Sequence, residues 1–312
     1  MKRILPSLFL LATGLAALAQ SPQAPAPPAA PAQAAAKPAG VPLTLKDGKT
    51  LFAAALKRDG NKVMVTMLMP SSPASGASDP AAAPPTAMVQ IGYPVDSITK
   101  IDFPEPAQLK TAPELLLHGK GTEALLQIEP IAQYYEPFRD IPGNRWTQAA
   151  MLKLSALLAL QRDKEAEALI GQLSQSSKNP EAVLSARVQM AVIRTRKKDF
   201  EPALAVFETA IKESTAPETL AHAWLNKGHI SLERGAFEPA LISYLRIPVM
   251  YPDQQLLLPQ AMLGSARAYR GLDDKTHAKR AFEDVVAMYP DTPEAAAAKT
   301  ELTKLNPSNS KP

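Results

Sequence analysis

The sequence contains no cysteine, few aromatic residues and only a small excess of basic over acidic residues. The absence of cysteine excludes disulfides, thiolate metal sites and a cysteine nucleophile. The 34 basic and 30 acidic residues leave a formal charge of +4. A protein that binds nucleic acid through bulk charge carries a strong basic excess, so we predict no nucleic-acid partner. Aromatic residues make up 5% of the chain and apolar residues 46%, with many alanines and leucines. This composition favours helices that pack closely, because small side chains let helix axes approach.

Motifs of common catalytic and metal sites are also missing. The chain has no G-x-S-x-G, H-E-x-x-H, P-loop or G-x-G-x-x-G motif. His222 and His229 share one face of a predicted helix, but two turns separate them by about 10 Å. They cannot share a zinc ion, which lies about 2 Å from each ligand nitrogen. We therefore predict no catalytic residue, no metal site and no cofactor.

The N-terminus has the features of an export signal. Lys2 and Arg3 precede an apolar run from Leu8 to Leu18, which is shorter than the about 20 residues of a membrane span. Ala17-Leu18-Ala19 then has the small-x-small pattern that signal peptidase cuts. We predict a signal peptide at 1–19, cleavage after Ala19, and a periplasmic or secreted mature protein without a transmembrane segment. An uncleaved anchor is the alternative.

Two further segments differ in composition from the rest. Residues 20–42 consist almost entirely of Ala, Pro and Gln, which predicts a disordered linker because proline removes amide donors and nothing large can be buried. Residues 43–104 carry short β-type runs separated by Asp47-Gly48 and Asp59-Gly60, which favour tight turns. A Pro/Ala/Ser-rich stretch at 70–86 interrupts these runs and is predicted to be a disordered insertion.

The β-type runs predict five strands, with Thr50–Leu56 as one of them, and hence a small closed barrel. The order of strands, turns and a late helical turn resembles SH3-like and Sm-like barrels. That resemblance implies a module that contacts a peptide or the cell wall. An accessory unit that caps or orients the rest of the chain is the alternative.

Residues 107–305 contain an internal repeat. In four copies an alanine is followed four positions later by a large apolar residue. The pairs are Ala166 and Ile170, Ala203 and Phe207, Ala240 and Tyr244, and Ala278 and Phe282. The alanines stand 37, 37 and 38 residues apart. We predict stacked helical hairpins, a fifth degenerate pair at 111–138, a terminal helix at 293–305 and a disordered tail at 306–312.

The third copy resembles the tetratricopeptide repeat family. The signature positions are Ala166, Ala203, Trp224, Gly228, Gly235, Ala240, Tyr244, Pro252, Tyr269, Ala278, Phe282 and Pro290. Residues 215–305 are also similar to exported bacterial repeat proteins of the outer-membrane assembly factor and Tol-Pal coordinator type. The resemblance implies a mainly α fold, in which a helical-hairpin solenoid follows the small β-barrel-like domain.

The resemblance further implies a concave groove that binds a protein or peptide. Its lining residues would be Val188, Val192, Arg196, His222, Leu225, Asn226, His229, Gln260, Leu263, Arg267 and Arg270. Polar and basic groups around Leu and Val favour an acidic or amphipathic peptide. Ordinary helix surface is the alternative at each position. We predict an exported, non-catalytic scaffold of the bacterial cell envelope. The alternative is a cell-wall or polymer-binding adaptor that acts through the β domain. The oligomeric state stays open.

Overall fold

A computed structural model of the chain describes residues 40–70, 86–176 and 179–305. Within these residues six β-strands precede eleven α-helices. The predicted signal peptide, most of the predicted linker, residues 71–85 of the predicted insertion and the predicted tail lie outside the described residues. The first strand begins at Val41, inside the range predicted as linker. Among the described helices none is long and apolar enough to cross a membrane.

The strands form two antiparallel sheets. They are β1 (Val41–Leu45), β2 (Thr50–Ala53), β3 (Ala55–Asp59), β4 (Lys62–Pro70), β5 (Thr86–Pro94) and β6 (Ile98–Ile101). One sheet has the order β2-β1-β6 and the other the order β3-β4-β5. The prediction of a closed five-stranded barrel is therefore wrong for the described residues. The run predicted as one strand breaks at Ala54, and its halves pair with different neighbours, β2 with β1 and β3 with β4.

The β unit shares its hydrophobic core with the first helices. Side chains alternate along a strand, and the inward set that includes Leu43, Val63 and Ile101 is fully buried. Phe103, just after β6, lies edge-on to Tyr135 with ring centroids 5.0 Å apart. These residues belong to one continuous cluster that extends into the helical part. The β unit is thus packed onto the beginning of the helical array.

The helices form two layers. They are α1 (Gln108–Leu117), α2 (Gly121–Tyr135), α3 (Trp146–Ala159), α4 (Asp163–Ser176), α5 (Pro180–Arg196), α6 (Phe200–Glu213), α7 (Pro217–Glu233), α8 (Phe237–Met250), α9 (Leu258–Gly271), α10 (Lys275–Met288) and α11 (Pro293–Leu305). Consecutive helices pack together, and α5, α7, α9 and α11 also contact one another in that order. The odd-numbered helices therefore form one layer. This arrangement confirms the predicted helical-hairpin repeat.

The repeated alanines are buried in the helical core. Ala166, Ala203, Ala240 and Ala278 are all fully buried. The large residue four positions later is buried in every copy, and Ala124 with Ile128 occupies the same places in the degenerate pair. A small side chain at the crossing lets the backbones approach, and the large neighbour fills the space beside it.

Every described helical hairpin turns through a left-handed residue. These residues are Gly119, Gln161, Lys198, Gly235 and Asp273, with φ between 56° and 71°. In the third copy the Gly235 amide donates to the Leu232 carbonyl at 3.0 Å, and the Ala236 amide donates to the Ser231 carbonyl at 2.9 Å. The other four turns repeat this pattern, which closes the carboxyl end of the first helix of each hairpin.

Lys198→Gly is expected to raise the free energy of unfolding by about 1 kcal/mol. A left-handed conformation costs an L-residue about 1–2 kcal/mol, and glycine avoids this cost but loses more backbone entropy on folding. Urea denaturation of the mature chain measures the difference. Lys198→Ala is the matched control, because it removes the exposed 3.5 Å ion pair with Glu233 and keeps the strain. Equal stability of the two variants would contradict the prediction.

Candidate functional site

Two pockets are lined mainly by odd-numbered helices, and we call the outer side of that layer the odd-helix face. The N-terminal pocket, about 320 Å³, lies between α3 and α5, has Ile170 and Leu173 of α4 in its wall, and extends to Glu218 at the start of α7. The C-terminal pocket, about 230 Å³, lies between α7 and α9 and is closed by Glu294 of α11. Both pockets are lined mainly by odd-numbered helices of successive repeats.

The C-terminal pocket contains four residues predicted to line a groove. His229 comes from α7, and Gln260, Leu263 and Arg267 come from α9. Leu263 is 6% exposed and forms part of the wall, whereas Gln260 is exposed at the rim. The sequence pattern therefore brings these side chains together, as expected for one face of two neighbouring helices.

Other predicted groove residues are buried between the layers. Val188 is fully buried against the core around Phe207, and Leu225 is 2% exposed. Asn226 is 5% exposed and its side-chain amide donates to the His222 carbonyl at 2.9 Å. Val192 is half-buried and packs on the same core as Val188. These helices are covered on two sides, so the apolar stripe on each is wider than the sequence pattern indicated, and it includes these positions.

The predicted basic groove residues are paired within the chain. Arg196 donates to the Asp163 carboxylate and to the Leu158 carbonyl, which links α5 to the preceding hairpin. Arg270 donates to the Glu301 carboxylate of α11, and Arg267 Nε lies 3.8 Å from the same carboxylate. The Glu301 side chain is only 10% exposed. The basic charge on which an acidic peptide would depend is therefore largely used to join neighbouring helices.

Several residues of the pockets were not predicted from the sequence. Glu233 lines the C-terminal pocket one turn after His229, and this four-residue spacing was a signal that could have found it. Glu294 reaches the pocket from α11, and Tyr244 reaches it from the even-numbered layer. Gly264 of α9 also lines the pocket. Only the packing of α11 and α8 reveals the contributions of Glu294 and Tyr244.

Burial controls the protonation of the pocket residues. His222 and His229 are half-buried, and burial lowers the pKa of each imidazole to about 4, so both are neutral at pH 7. The Arg267 guanidinium lowers the His229 pKa further. Burial raises the pKa of the Glu294 carboxyl and of the Tyr244 hydroxyl. In the described part of the chain no three His, Asp or Glu side chains are grouped so as to hold a metal ion.

The signature residues outside the pocket stabilise individual hairpins. The half-buried Trp224 ring lies under the Arg246 guanidinium, with Cζ 4.1 Å from the ring centroid. Tyr269 stacks on His277 with centroids 5.4 Å apart. Pro252 and Pro290 are exposed just beyond the ends of α8 and α10, where proline cannot continue a helix.

Comparison with known proteins adds one match. A search of curated proteins finds no match to the chain. Residues 260–292, which include most of α9 and all of α10, match the family model for the tetratricopeptide repeat. The matched range contains Gln260, Leu263 and Arg267 of the C-terminal pocket. The fourth copy of the repeat is therefore similar to a tetratricopeptide repeat, a type of module that mediates protein–protein contacts.

Proposed function

We propose that the protein is an exported, non-catalytic adaptor of the bacterial cell envelope that binds a segment of another protein on its odd-helix face. One observation carries the proposal: two pockets are lined mainly by odd-numbered helices of successive repeats. Stacked repeats present such a continuous surface, and a partner can contact several copies at once. The repeat match supports a protein as the partner.

The export part of the proposal rests on the sequence. The basic residues, the short apolar run and the Ala17-Leu18-Ala19 pattern together predict a cleaved leader. The Pro- and Ala-rich stretch that follows would then form the beginning of the mature chain. An envelope adaptor of this kind requires no cysteine, cofactor or metal ion.

The β unit supports the array in this proposal. Its Phe103 ring packs on Tyr135 and Phe138 of the first hairpin. Arg58 donates two hydrogen bonds to the Asp140 carboxylate, at 3.1 and 3.0 Å. Because these groups are occupied inside the molecule, the accessory role is favoured over the wall-binding alternative.

Site-specific photocrosslinking in bacterial cells that export the full chain tests this function. A photoreactive amino acid is placed at Gln260 or Glu233, which are exposed on the odd-helix face, or at Val249 on α8. Val249 is the matched control because it is 73% exposed on the opposite layer. We expect both odd-helix positions to crosslink to the same discrete protein and Val249 not to do so. Mass spectrometry of the adduct should find a mature N-terminus at Gln20.

Three results would contradict the proposal. The absence of an adduct at both odd-helix positions would contradict binding on the odd-helix face. An adduct only at Val249 would show that the partner binds the opposite layer. An unprocessed chain in the cytoplasmic fraction would contradict export.

A further inference from the structure

Strand β5 forms an open edge of its sheet. It pairs with β4 over its whole length, Thr86–Pro94, without a register shift. Hydrogen bonds in an antiparallel pair join alternate residues, so the N–H and C=O groups of the other residues of β5 point away from β4. Among the described residues, the backbone of 87–93 bonds to β4 alone. The edge therefore presents a row of unpaired backbone groups to a further strand.

The composition of β5 does not protect this edge. Edge strands avoid pairing with other chains through charged side chains, proline, bulges or short length. Residues 86–93 contain no charged residue and no proline, and the ladder with β4 has no bulge. At the other edge of the same sheet, β3 carries Lys57, Arg58 and Asp59 within five residues. This contrast within one sheet indicates that β5, unlike β3, is suited to pair with another strand.

The other sheet edges are short or covered. Strands β2 and β6 have four residues each. The Ile101 amide of β6 donates to the Pro142 carbonyl at 3.0 Å, so the chain after the first hairpin covers that edge. In the described part of the chain, β5 is thus the one long edge without protection. Pairing between two β5 strands would use the open edge of both chains, and the assembly would close at two copies instead of growing into a fibre.

The remaining parts of the chain are poor partners for this edge. Residues 20–39, 71–85 and 306–312 contain prolines, and none of these ranges has more than six consecutive residues without one. Proline has no N–H group to donate to a ladder. Residues 1–19 belong to the predicted leader. A second copy of β5, in contrast, offers eight consecutive residues without proline.

A second β5 is complementary to the first. Antiparallel pairing about a two-fold axis at Gln90, the middle residue of the strand, aligns all nine residues, and no like charges meet. Met88 is 76% exposed and would lie opposite Gly92 of the second copy, where no side chain occupies the space. Leu68, which is 57% exposed and pairs with Met88 from β4, extends the apolar surface that the pairing covers.

We propose that the protein forms a two-fold symmetric dimer in which the β5 strands of two chains pair antiparallel. The two three-stranded sheets then join into one sheet of six strands. The inference goes beyond the proposed adaptor function, because it concerns the β unit and not the odd-helix face. A dimer carries two odd-helix faces, so a partner with two binding segments would be held more tightly than by one chain.

Disulfide trapping tests the strand pairing. The chain has no cysteine, so a single introduced thiol in the purified mature chain can form a disulfide only between two copies. Opposite residues on antiparallel strands have Cα atoms about 4.5–5.5 Å apart, which a disulfide can span. We expect Gln90→Cys to give a covalent dimer on mild oxidation, measured on a non-reducing gel.

Thr66→Cys is the matched control for this trapping. Thr66 lies opposite Gln90 on β4, so three strand spacings, about 14 Å in total, would separate its two copies. We expect this variant to stay monomeric on the same gel. Equal yields of covalent dimer from the two variants, or no covalent dimer from Gln90→Cys, would overturn the proposal.

Sedimentation equilibrium measures the dimer without a covalent bond. We expect the mature chain to show a monomer–dimer equilibrium. Gln90→Lys places like charges on strands about 5 Å apart and should raise the dimer Kd about tenfold or more. Thr66→Lys adds the same charge about 14 Å from its copy, beyond the Debye length of about 8 Å at physiological salt, and should change the Kd about twofold at most.

A mixture of Gln90→Lys and Gln90→Glu separates charge repulsion from loss of folding. Opposite charges then face each other, and we expect a heterodimer at least as stable as the parent dimer. A mature chain that stays monomeric at every concentration would overturn the proposal. A dimer that Gln90→Lys does not weaken would also overturn it, because the contact would then lie on another surface.

A photoreactive amino acid at Gln90, in cells that export the full chain, identifies the occupant of the edge. We expect an adduct between two copies of this chain. An adduct with a different protein, or one within a single chain, would overturn the second copy as the occupant. Crosslinks from Gln260 and Glu233 report on the odd-helix face, and they test the adaptor function whatever the result at Gln90.

Discussion

Replacement of Phe103 by Ala is expected to lower the free energy of unfolding by about 3–5 kcal/mol, the range for large-to-small changes at a buried phenylalanine. Phe103 is 5% exposed and joins the end of the β unit to the first helical hairpin. Its ring centroid lies 5.0 Å from that of Tyr135 and 5.4 Å from that of Phe138. The truncation leaves a cavity in a core that belongs to both parts, so both are destabilised together.

Urea denaturation, followed by far-UV circular dichroism and by tryptophan fluorescence, measures this effect. Phe52→Ala is the matched control, because Phe52 lies on β2 and is 36% exposed. We expect the control to cost about 1 kcal/mol or less. A similar small loss for Phe103→Ala would contradict a shared core and would mean that the β unit and the helices are stabilised independently.

Gly264→Ala is expected to lower the free energy of unfolding by about 1–3 kcal/mol, as overpacking of a close-packed core does. Alanine normally stabilises the interior of a helix relative to glycine. At Gly264 the added Cβ would meet Tyr244 Cζ at 2.5 Å, which is far inside van der Waals contact. The ring must shift, and the adjacent Gly228 leaves it little room because a Cβ there would lie 2.8 Å from Cε1.

A double-mutant cycle with Tyr244→Leu isolates this contact. Leucine shortens the side chain, so the cost of Gly264→Ala should be largely relieved in the Tyr244→Leu background. Gly171→Ala is the matched control, since no atom lies within 4 Å of a Cβ added at that helical position. We expect the control to stabilise the protein by about 0.5–1 kcal/mol. Strict additivity in the cycle would mean that Gly264 is not constrained by the Tyr244 ring.

The helical repeat could be predicted because its signal is local and recurs. An alanine and a large apolar residue four positions later lie on one face of any helix, so their return at a fixed period already indicates a stacked array. The left-handed turns were less visible. Gly235 marks one of them, but Gln161 and Lys198 adopt the same φ without glycine, because the hydrogen bonds of the turn outweigh the local strain.

The break between β2 and β3 could not be predicted, since Ala54 lies within a continuous apolar run and no turn residue marks it. The lining of the site was only partly predictable. Hydrophobic periodicity identifies the buried face of a helix that packs against one neighbouring layer. Because α5 and α7 contact several helices, positions outside that face, such as Val188, are buried as well. The position of the Tyr244 ring depends on two glycines in different helices, and no pattern within a single helix reports that relation.

Different elements cover the two ends of the helical array, and this limits where further repeats could be added to the chain. The β unit covers the first hairpin through the shared core, and at the other end the buried Ala298 of α11 packs with Leu263 and Ala266 of α9. A repeat array exposes apolar surface wherever it ends without a cap. An additional copy joined after α11 or before α1 would displace one of these closures, whereas a copy duplicated between α3 and α10 would keep both. The odd-helix face can therefore lengthen by internal duplication while both ends of the helical array stay the same.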